Sequence, residues 1–126
     1  MELNEYQEKA MRTCLPSSDN LLYMLTNLVG EVGEFSGKVA KHVRKGNLFV
    51  TTEERNSNGD ILHTHMLNIS QEEKDDLKKE AGDIAWQLAG LCNAMGWSLE
   101  EVCQMNLDKL ASRQSRGVID GSGDRR

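Results

Sequence analysis

Aromatic residues make up only 5% of the sequence and Pro16 is its single proline. That scarcity disfavours a sandwich of aromatic and β-branched strands and suits helices with aliphatic cores, so an all-α fold is expected. No run approaches the roughly 18 apolar residues of a membrane span. Met1-Glu2-Leu3-Asn4-Glu5 has neither a basic nor an apolar leader segment, and a soluble cytoplasmic protein is the expectation. Cationic charge is short as well: the formal net charge of −5 argues against a surface that tracks nucleic-acid phosphates, which needs clustered Lys and Arg. The three cysteines, Cys14, Cys92 and Cys103, are odd in number, and the latter two sit in apolar helix patterns where a free thiol behaves as a small hydrophobe, which points to a reducing compartment. With 126 residues the chain fits one domain, residues 1–126.

What the sequence does have is two acidic pairs at helical spacing inside otherwise apolar helix patterns, Glu31-x-x-Glu34 and Glu80-x-x-Asp83. Side chains three apart lie on one helix face, so each pair can offer oxygens to one small volume. Four carboxylates held together repel one another and favour a hard divalent cation, Mg²⁺ or its substitute Mn²⁺. Charged helix residues are ordinarily a solvated face, and the pairing of two such motifs is what moves the balance.

Apolar periodicity places four helices. The first spans about Asn4, as N-cap, to Thr13, with Leu3, Tyr6, Ala10 and Met11 inward, and Pro16-Ser17-Ser18 breaks it. The second runs from Asp19 or Asn20 to Lys45 on a stripe of Leu21, Leu25, Leu28, Val32, Phe35, Val39 and Val43, stopped by Gly46-Asn47. Ser70 with Glu73 forms a capping box for the third, whose stripe is Leu77, Ala81, Ile84, Leu88, Leu91 and Met95, closed by Gly96. Ser98 with Glu101 opens a fourth that runs to about Arg113, with Leu99, Val102, Cys103 and Leu110 inside. Antiparallel hairpins of such helices make a four-helix-type bundle. Between the second and third helices, residues 47–69 carry the short β-like runs 48–51 and 61–66 around Asn58-Gly59, an insertion read as a hairpin or an irregular loop. The tail at 114–126 is polar, glycine-rich and irregular in expectation.

Both acidic pairs flank their helix's apolar stripe, so antiparallel packing would bring them face to face across a groove. Gly30 and Gly33 on one helix, and Ala81, Gly82, Ala85, Ala89 and Gly90 on the other, would permit close backbone approach. On the fourth helix Asn106, Lys109 and Arg113 follow steps of three and four beside Val102 and Leu110; inward polar groups there need partners, unless the long stems carry their charges to the surface.

The string Gly30-Glu-Val-Gly-Glu34, then Lys41, Glu80-Ala-Gly-Asp83-Ile84, Asn106-Leu-Asp-Lys109 and Arg113 resembles the all-α nucleoside triphosphate pyrophosphohydrolases of the MazG-like family over about residues 20–113. The resemblance implies a helical bundle that binds Mg²⁺ and hydrolyses a nucleoside triphosphate between its α and β phosphates, giving a monophosphate and pyrophosphate. It also implies a homodimer or homotetramer with sites near subunit interfaces. Arg116-Gly-Val-Ile-Asp-Gly-Ser-Gly-Asp124 is similar to the ending of some bacterial and phage members. The stretch between Glu34 and Glu80 is longer than in compact members, and the excess falls in the 47–69 insertion, which bears on substrate choice.

These residues define the expected roles. Glu31, Glu34, Glu80 and Asp83 hold Mg²⁺, with Glu34 the candidate base toward the attacking water. Lys41, Lys45, Lys109 and Arg113 clamp phosphates, and Asn106 orients the sugar or a phosphate oxygen. Trp86 is the candidate for stacking a base, with packing its alternative; Trp97 is assigned to helix-end packing. His63 and His65, with no further His or Cys nearby, are surface residues rather than zinc ligands. No Gly-Lys-Ser/Thr ending supports a phosphate-binding loop, and no Glu-x-x-His a di-iron bundle. Two alternatives stay open: a non-catalytic helical module whose acids hold a structural ion or pair with a partner subunit, and a pyrophosphohydrolase acting on phosphoribosyl-ATP or a modified nucleotide.

Overall fold

A computed structural model describes all residues except 51–53, 63, 64, 124 and 126. Among the described residues there are four α-helices, α1 (Leu3–Met11), α2 (Leu21–Arg44), α3 (Gln71–Ala94) and α4 (Leu99–Ser115), and, between α2 and α3, four short strands, β1 (Leu48–Val50), β2 (Glu54–Arg55), β3 (Ile61–Leu62) and β4 (His65–Leu67). The fold is all-α with a small β insertion. None of the described helices is long and apolar enough to cross a membrane.

Helix ends follow local chemistry. Ser70 Oγ accepts the Glu73 N–H at 3.1 Å while Glu73 Oε1 accepts the Ser70 N–H at 3.1 Å, the reciprocal box expected for α3. Ser98 likewise accepts the Glu101 N–H at the start of α4, and Asn20 Oδ1 accepts the Tyr23 N–H at the start of α2. At the other ends Gly46 and Gly96 take φ of 74° and 72°. The amides that follow them, Asn47 and Trp97, each return to a carbonyl five residues back, those of His42 and Cys92, at 2.8 Å. The first helix departs from expectation: its N-cap is Glu2, boxed with Glu5. Asn4 lies inside the helix, where its side chain reaches Glu100, donating to Oε2 at 2.9 Å and accepting the Glu100 N–H at 3.2 Å.

The insertion is a pair of antiparallel ladders. Leu48, Phe49 and Val50 pair with Leu67, Met66 and His65, and Glu54 and Arg55 with Leu62 and Ile61. Gly59, at φ 83°, donates to the Asn56 carbonyl at 3.0 Å in the turn that joins the inner ladder. The hairpin reading of 47–69 therefore holds, with β2 a strand that alternation did not reveal. His63 lies outside the described residues.

The chain divides into two compact units, residues 1–25 with 86–126, and residues 26–85. In the first, Ala89, Cys92 and Leu99 form the buried cluster, with Tyr6, Met11, Val102 and Cys103 packed against it. Gln7 is buried among them. Its carboxamide donates to the carbonyls of Trp97 at 3.0 Å and Ala89 at 3.4 Å and accepts the Leu99 N–H at 2.8 Å. Small residues matter less than expected. A Cβ at Gly33 or Gly82 would meet nothing within 4 Å, whereas one at Gly90 would fall 2.6 Å from Met24 Cε and closer still to its Sδ. Close approach is thus required at Gly90 and not at Gly33 or Gly82.

The apolar stripe assigned to α2 is inward only in part: Leu28, Phe35 and Val39 lose water. Leu21, Leu25, Val32 and Val43 are exposed. The residues that lose water are Met24, Asn27, Leu28, Glu31, Phe35, Lys38, Val39 and His42, at steps of one, three and four. On α3 the corresponding row is Leu77, Glu80, Ile84, Gln87 and Leu91, while Ala81, Leu88 and Met95 are exposed. Each helix has turned its polar flank inward and left part of its apolar stripe in water. Leu3 and Leu110, assigned inward on α1 and α4, are exposed as well.

Candidate metal centre

Within the 26–85 unit, Glu31 comes from α2, and Glu80 and Asp83 come from α3. One carboxylate oxygen from each lies within 4.8 Å of the others. The three residues sit where the inward rows place them: Glu31 one helical turn after Leu28, Glu80 three residues after Leu77, and Asp83 at the exposed margin. Asn27, one turn before Glu31, donates to Glu31 Oε1 at 3.2 Å and fixes that carboxylate. Glu34 is exposed and stands outside the triad, although its charge is felt at Glu31.

The electrostatics are those of crowded acids. Partial burial first, then the charges of Glu34 and Asp83, push the Glu31 carboxyl above the usual glutamate range, against the hydrogen bond from Asn27 that lowers it. Glu80 Oε1 accepts from Lys38 Nζ at 2.6 Å. Its other oxygen, Oε2, is buried and has no hydrogen-bond partner among the described residues. A buried carboxylate oxygen without a donor is costly in a folded chain, and a cation would satisfy it. Oxygens around an octahedral Mg²⁺ stand about 3.0 Å apart when adjacent and about 4.2 Å when opposite, so the three carboxylate oxygens, each within 4.8 Å of the others, would draw together on a shared ion. The donor set, three carboxylates and no sulfur, suits a hard cation.

The other expected site residues are distributed as follows. Lys41 lines a cavity of about 160 Å³ with Lys38, His42, Glu73, Asp76 and Leu77. Lys45 follows the last turn of α2, its N–H on the Lys41 carbonyl at 3.0 Å. On α4, Asn106 and Lys109 are exposed rather than inward. They line a groove with Trp97, Glu101, Val102 and Met105. Arg113 is 5% exposed and one of its Nη atoms donates to the Gly123 carbonyl at 3.5 Å, so the glycine-rich tail engages it. Trp86 is half-buried, its indole N–H donating to Ala10 O at 3.1 Å and Thr13 Oγ1 at 2.9 Å, which ties α3 to the end of α1. Trp97, assigned to packing, is 46% exposed.

Lys38 and His42 escaped the sequence reading. Both lie on the row through Glu31, at steps of seven and four, and the legible signal was that periodic continuity. It was hidden because the centre of the apolar stripe, taken as inward, runs about a quarter of a turn away at 100° per residue.

The chain is 38% identical over 133 aligned residues to the gene 37 protein of Mycobacterium phage L5, with all of both chains covered. No solved structure matches it significantly. The MazG nucleotide pyrophosphohydrolase domain matches residues 20–118, which hold the whole acidic triad and all of the two helices that carry it. On that match the chain belongs to the MazG nucleotide pyrophosphohydrolase family.

Proposed function

We propose that the protein is a Mg²⁺-dependent nucleoside triphosphate pyrophosphohydrolase, cleaving between the α and β phosphates to give a nucleoside monophosphate and pyrophosphate. The observation that carries this reading is the convergence of Glu31, Glu80 and Asp83 from two helices, with an unpartnered buried oxygen on Glu80. Those three side chains would hold the cation. When bound, Mg²⁺ neutralises phosphate charge and lowers the pKa of a water.

The remaining steps belong to the chain. Glu34, exposed and outside the triad, takes a proton from the attacking water, whose oxygen bonds to phosphorus as the α–β anhydride bond breaks and pyrophosphate leaves. Lys41 and Lys45, near the end of α2, offset charge on the polyphosphate. On α4, Asn106 and Lys109 are the groups proposed to meet the sugar or a phosphate; burial of Arg113 against the tail removes it from that set. The test is a panel of canonical and modified nucleoside triphosphates, and phosphoribosyl-ATP, incubated with Mg²⁺ and assayed for monophosphate and pyrophosphate. Release of inorganic phosphate alone, or no product from any member, overturns the reading.

We propose further that the chain works as a homodimer or homotetramer. Support comes from one edge of α2, where Leu22, Leu25, Val29 and Val32 follow a three-four repeat and are 76%, 51%, 69% and 45% exposed. Exposed apolar rows of that kind are costly in water and suit a second copy of the same helix.

A further inference from the structure

Lys38 is the cation that the sequence motifs do not include, and it makes the shortest polar contact in the acidic site. Its Nζ donates to Glu80 Oε1 at 2.6 Å, with 43% of the lysine side chain exposed but only 13% of the glutamate's. Contact with that oxygen leaves Oε2, buried and without a partner among the described residues, as the free oxygen of Glu80. Lys38 is held in turn by α2, on the same inward row as Glu31 and between Phe35 and His42. It also forms part of the wall shared with Lys41, His42 and Leu77.

An ammonium clasping one carboxylate oxygen changes what the other can do. A free carboxylate binds a cation through one oxygen or both; one whose Oε1 is already shared with an ammonium is biased to single-oxygen ligation. Divalent cations differ in how they respond. Ca²⁺ takes six to eight oxygens and often gathers both from one carboxylate, while Mg²⁺ and Mn²⁺ are satisfied by six, several of them water. A device that restricts Glu80 to one oxygen therefore penalises the larger ion.

We infer that Lys38 is a positioning residue that holds Glu80 as a single-oxygen ligand and thereby makes the acidic triad discriminate against Ca²⁺ in favour of the smaller octahedral cations. The inference rests on the proposal that the triad binds a divalent cation, and it adds what that proposal lacks, a reason for ion choice. Lys38 need not touch substrate to act in this way.

The test is a ratio, because removing one positive charge near the site strengthens every divalent cation alike and that common effect cancels. Mn²⁺ affinity is read by electron paramagnetic resonance of the free ion, and Ca²⁺ affinity by its displacement of Mn²⁺, both without nucleotide. In Lys38→Met the preference for Mn²⁺ over Ca²⁺ falls by about tenfold, the scale on which partners of metal ligands act. Lys38→Arg, which can still clasp one oxygen, keeps the wild-type ratio. Helicity by circular dichroism confirms that both variants fold. A Met variant with helical content intact and an unchanged ratio overturns the role of Lys38 and leaves the cation site standing. Failure of the wild-type protein to bind Mn²⁺ at all overturns both.

Discussion

The Gln7 carboxamide oxygen accepts the backbone N–H of Leu99 at 2.8 Å, so a side chain of the first helix satisfies the first amide of the last. The same amide group donates to the Trp97 carbonyl. One buried polar residue thus ties down the entry to α4, where a helix terminus leaves backbone groups without partners. Gln7→Leu keeps the volume and abandons those groups. The expected cost is about 1–3 kcal/mol, chiefly from the buried Leu99 N–H left unsatisfied. Urea unfolding of wild type and variant measures it; a loss under about 1 kcal/mol would show that water replaces the amide.

Much of this architecture was legible in the sequence, and what was missed has a common physical origin. Caps are local: Ser70 with Glu73 needs only three residues of context, and it appears as read. The pairing of Glu31 with Glu80 and Asp83 was legible too, because two helices with acidic flanks have few ways to place them. Helix rotation was not. Hydropathy assigns Leu21, Leu25 and Val32 inward, yet these side chains are exposed and Glu31, Lys38 and His42 turn inside. Periodicity gives a stripe's direction only if one partner surface competes for it, and a site that needs buried acids competes with the core. Gln7 was missed for a related reason: its three hydrogen bonds lie more than 80 residues away in sequence.

Gly90 separates two effects that usually travel together. Alanine there gains helix propensity of about 1 kcal/mol but intrudes on the end of the Met24 side chain, which is fully buried. Overpacking of this kind costs about 1–3 kcal/mol. Gly90→Ala is expected to lower stability by up to about 2 kcal/mol. Made in a Met24→Ala background the same change should stabilise by about 1 kcal/mol, since only propensity remains. A double-mutant cycle by chemical denaturation supplies both numbers, and equal effects in the two backgrounds would place the strain somewhere other than Met24.

Glu73 gives the acid limb of stability a specific group. Hydrogen bonds from the Ser70 backbone and side chain hold its carboxyl below the ordinary glutamate value, with His42 and Lys45 adding smaller contributions of the same sign. A carboxyl depressed in the folded state stabilises above its unfolded pKa of about 4.3, and that contribution is lost as pH falls through the folded value. Melting temperatures of wild type and Glu73→Gln should differ at neutral pH, with the variant lower, and converge below about pH 4. A difference that persists unchanged to pH 3 would assign the effect to packing rather than charge.

The carboxylates make separable kinetic predictions. Asp83→Asn and Glu31→Gln should lose most pyrophosphate release and also require more Mg²⁺ for half-maximal activity, because each removes a proposed ligand. Glu34→Gln should lower kcat by about 10²–10⁴-fold, the range of a general base, with the Mg²⁺ requirement nearly unchanged. Circular dichroism should show helicity intact in all three. If Glu34→Gln instead shifts the Mg²⁺ requirement as strongly as Asp83→Asn, Glu34 is a ligand and another group takes the proton. If all three variants retain activity and alter only assembly, the acids are structural and the protein is no hydrolase of this kind.

The exposed edge of α2 is tested by charging it. Val29 is 69% exposed and Leu22 is 76% exposed, so glutamate at either position meets water and should leave the isolated chain as stable as before, within about 0.5 kcal/mol. If a second copy covers the row, the same substitution buries a charge in an apolar contact, and the cost appears only in assembly. Sedimentation of Leu22→Glu and Val29→Glu should then show a shift from dimer or tetramer toward monomer, while an outward control such as Lys78→Glu on α3 does not shift. Gly33 offers the converse probe. A methyl group there meets nothing within 4 Å in one chain, so Gly33→Ala should raise stability by about 1 kcal/mol unless a neighbouring helix lies against it. A destabilised Gly33→Ala together with a wild-type oligomer would place the contact on the glycine side of α2, whereas a stabilised one together with monomeric Val29→Glu would confine it to the Leu22–Val32 edge.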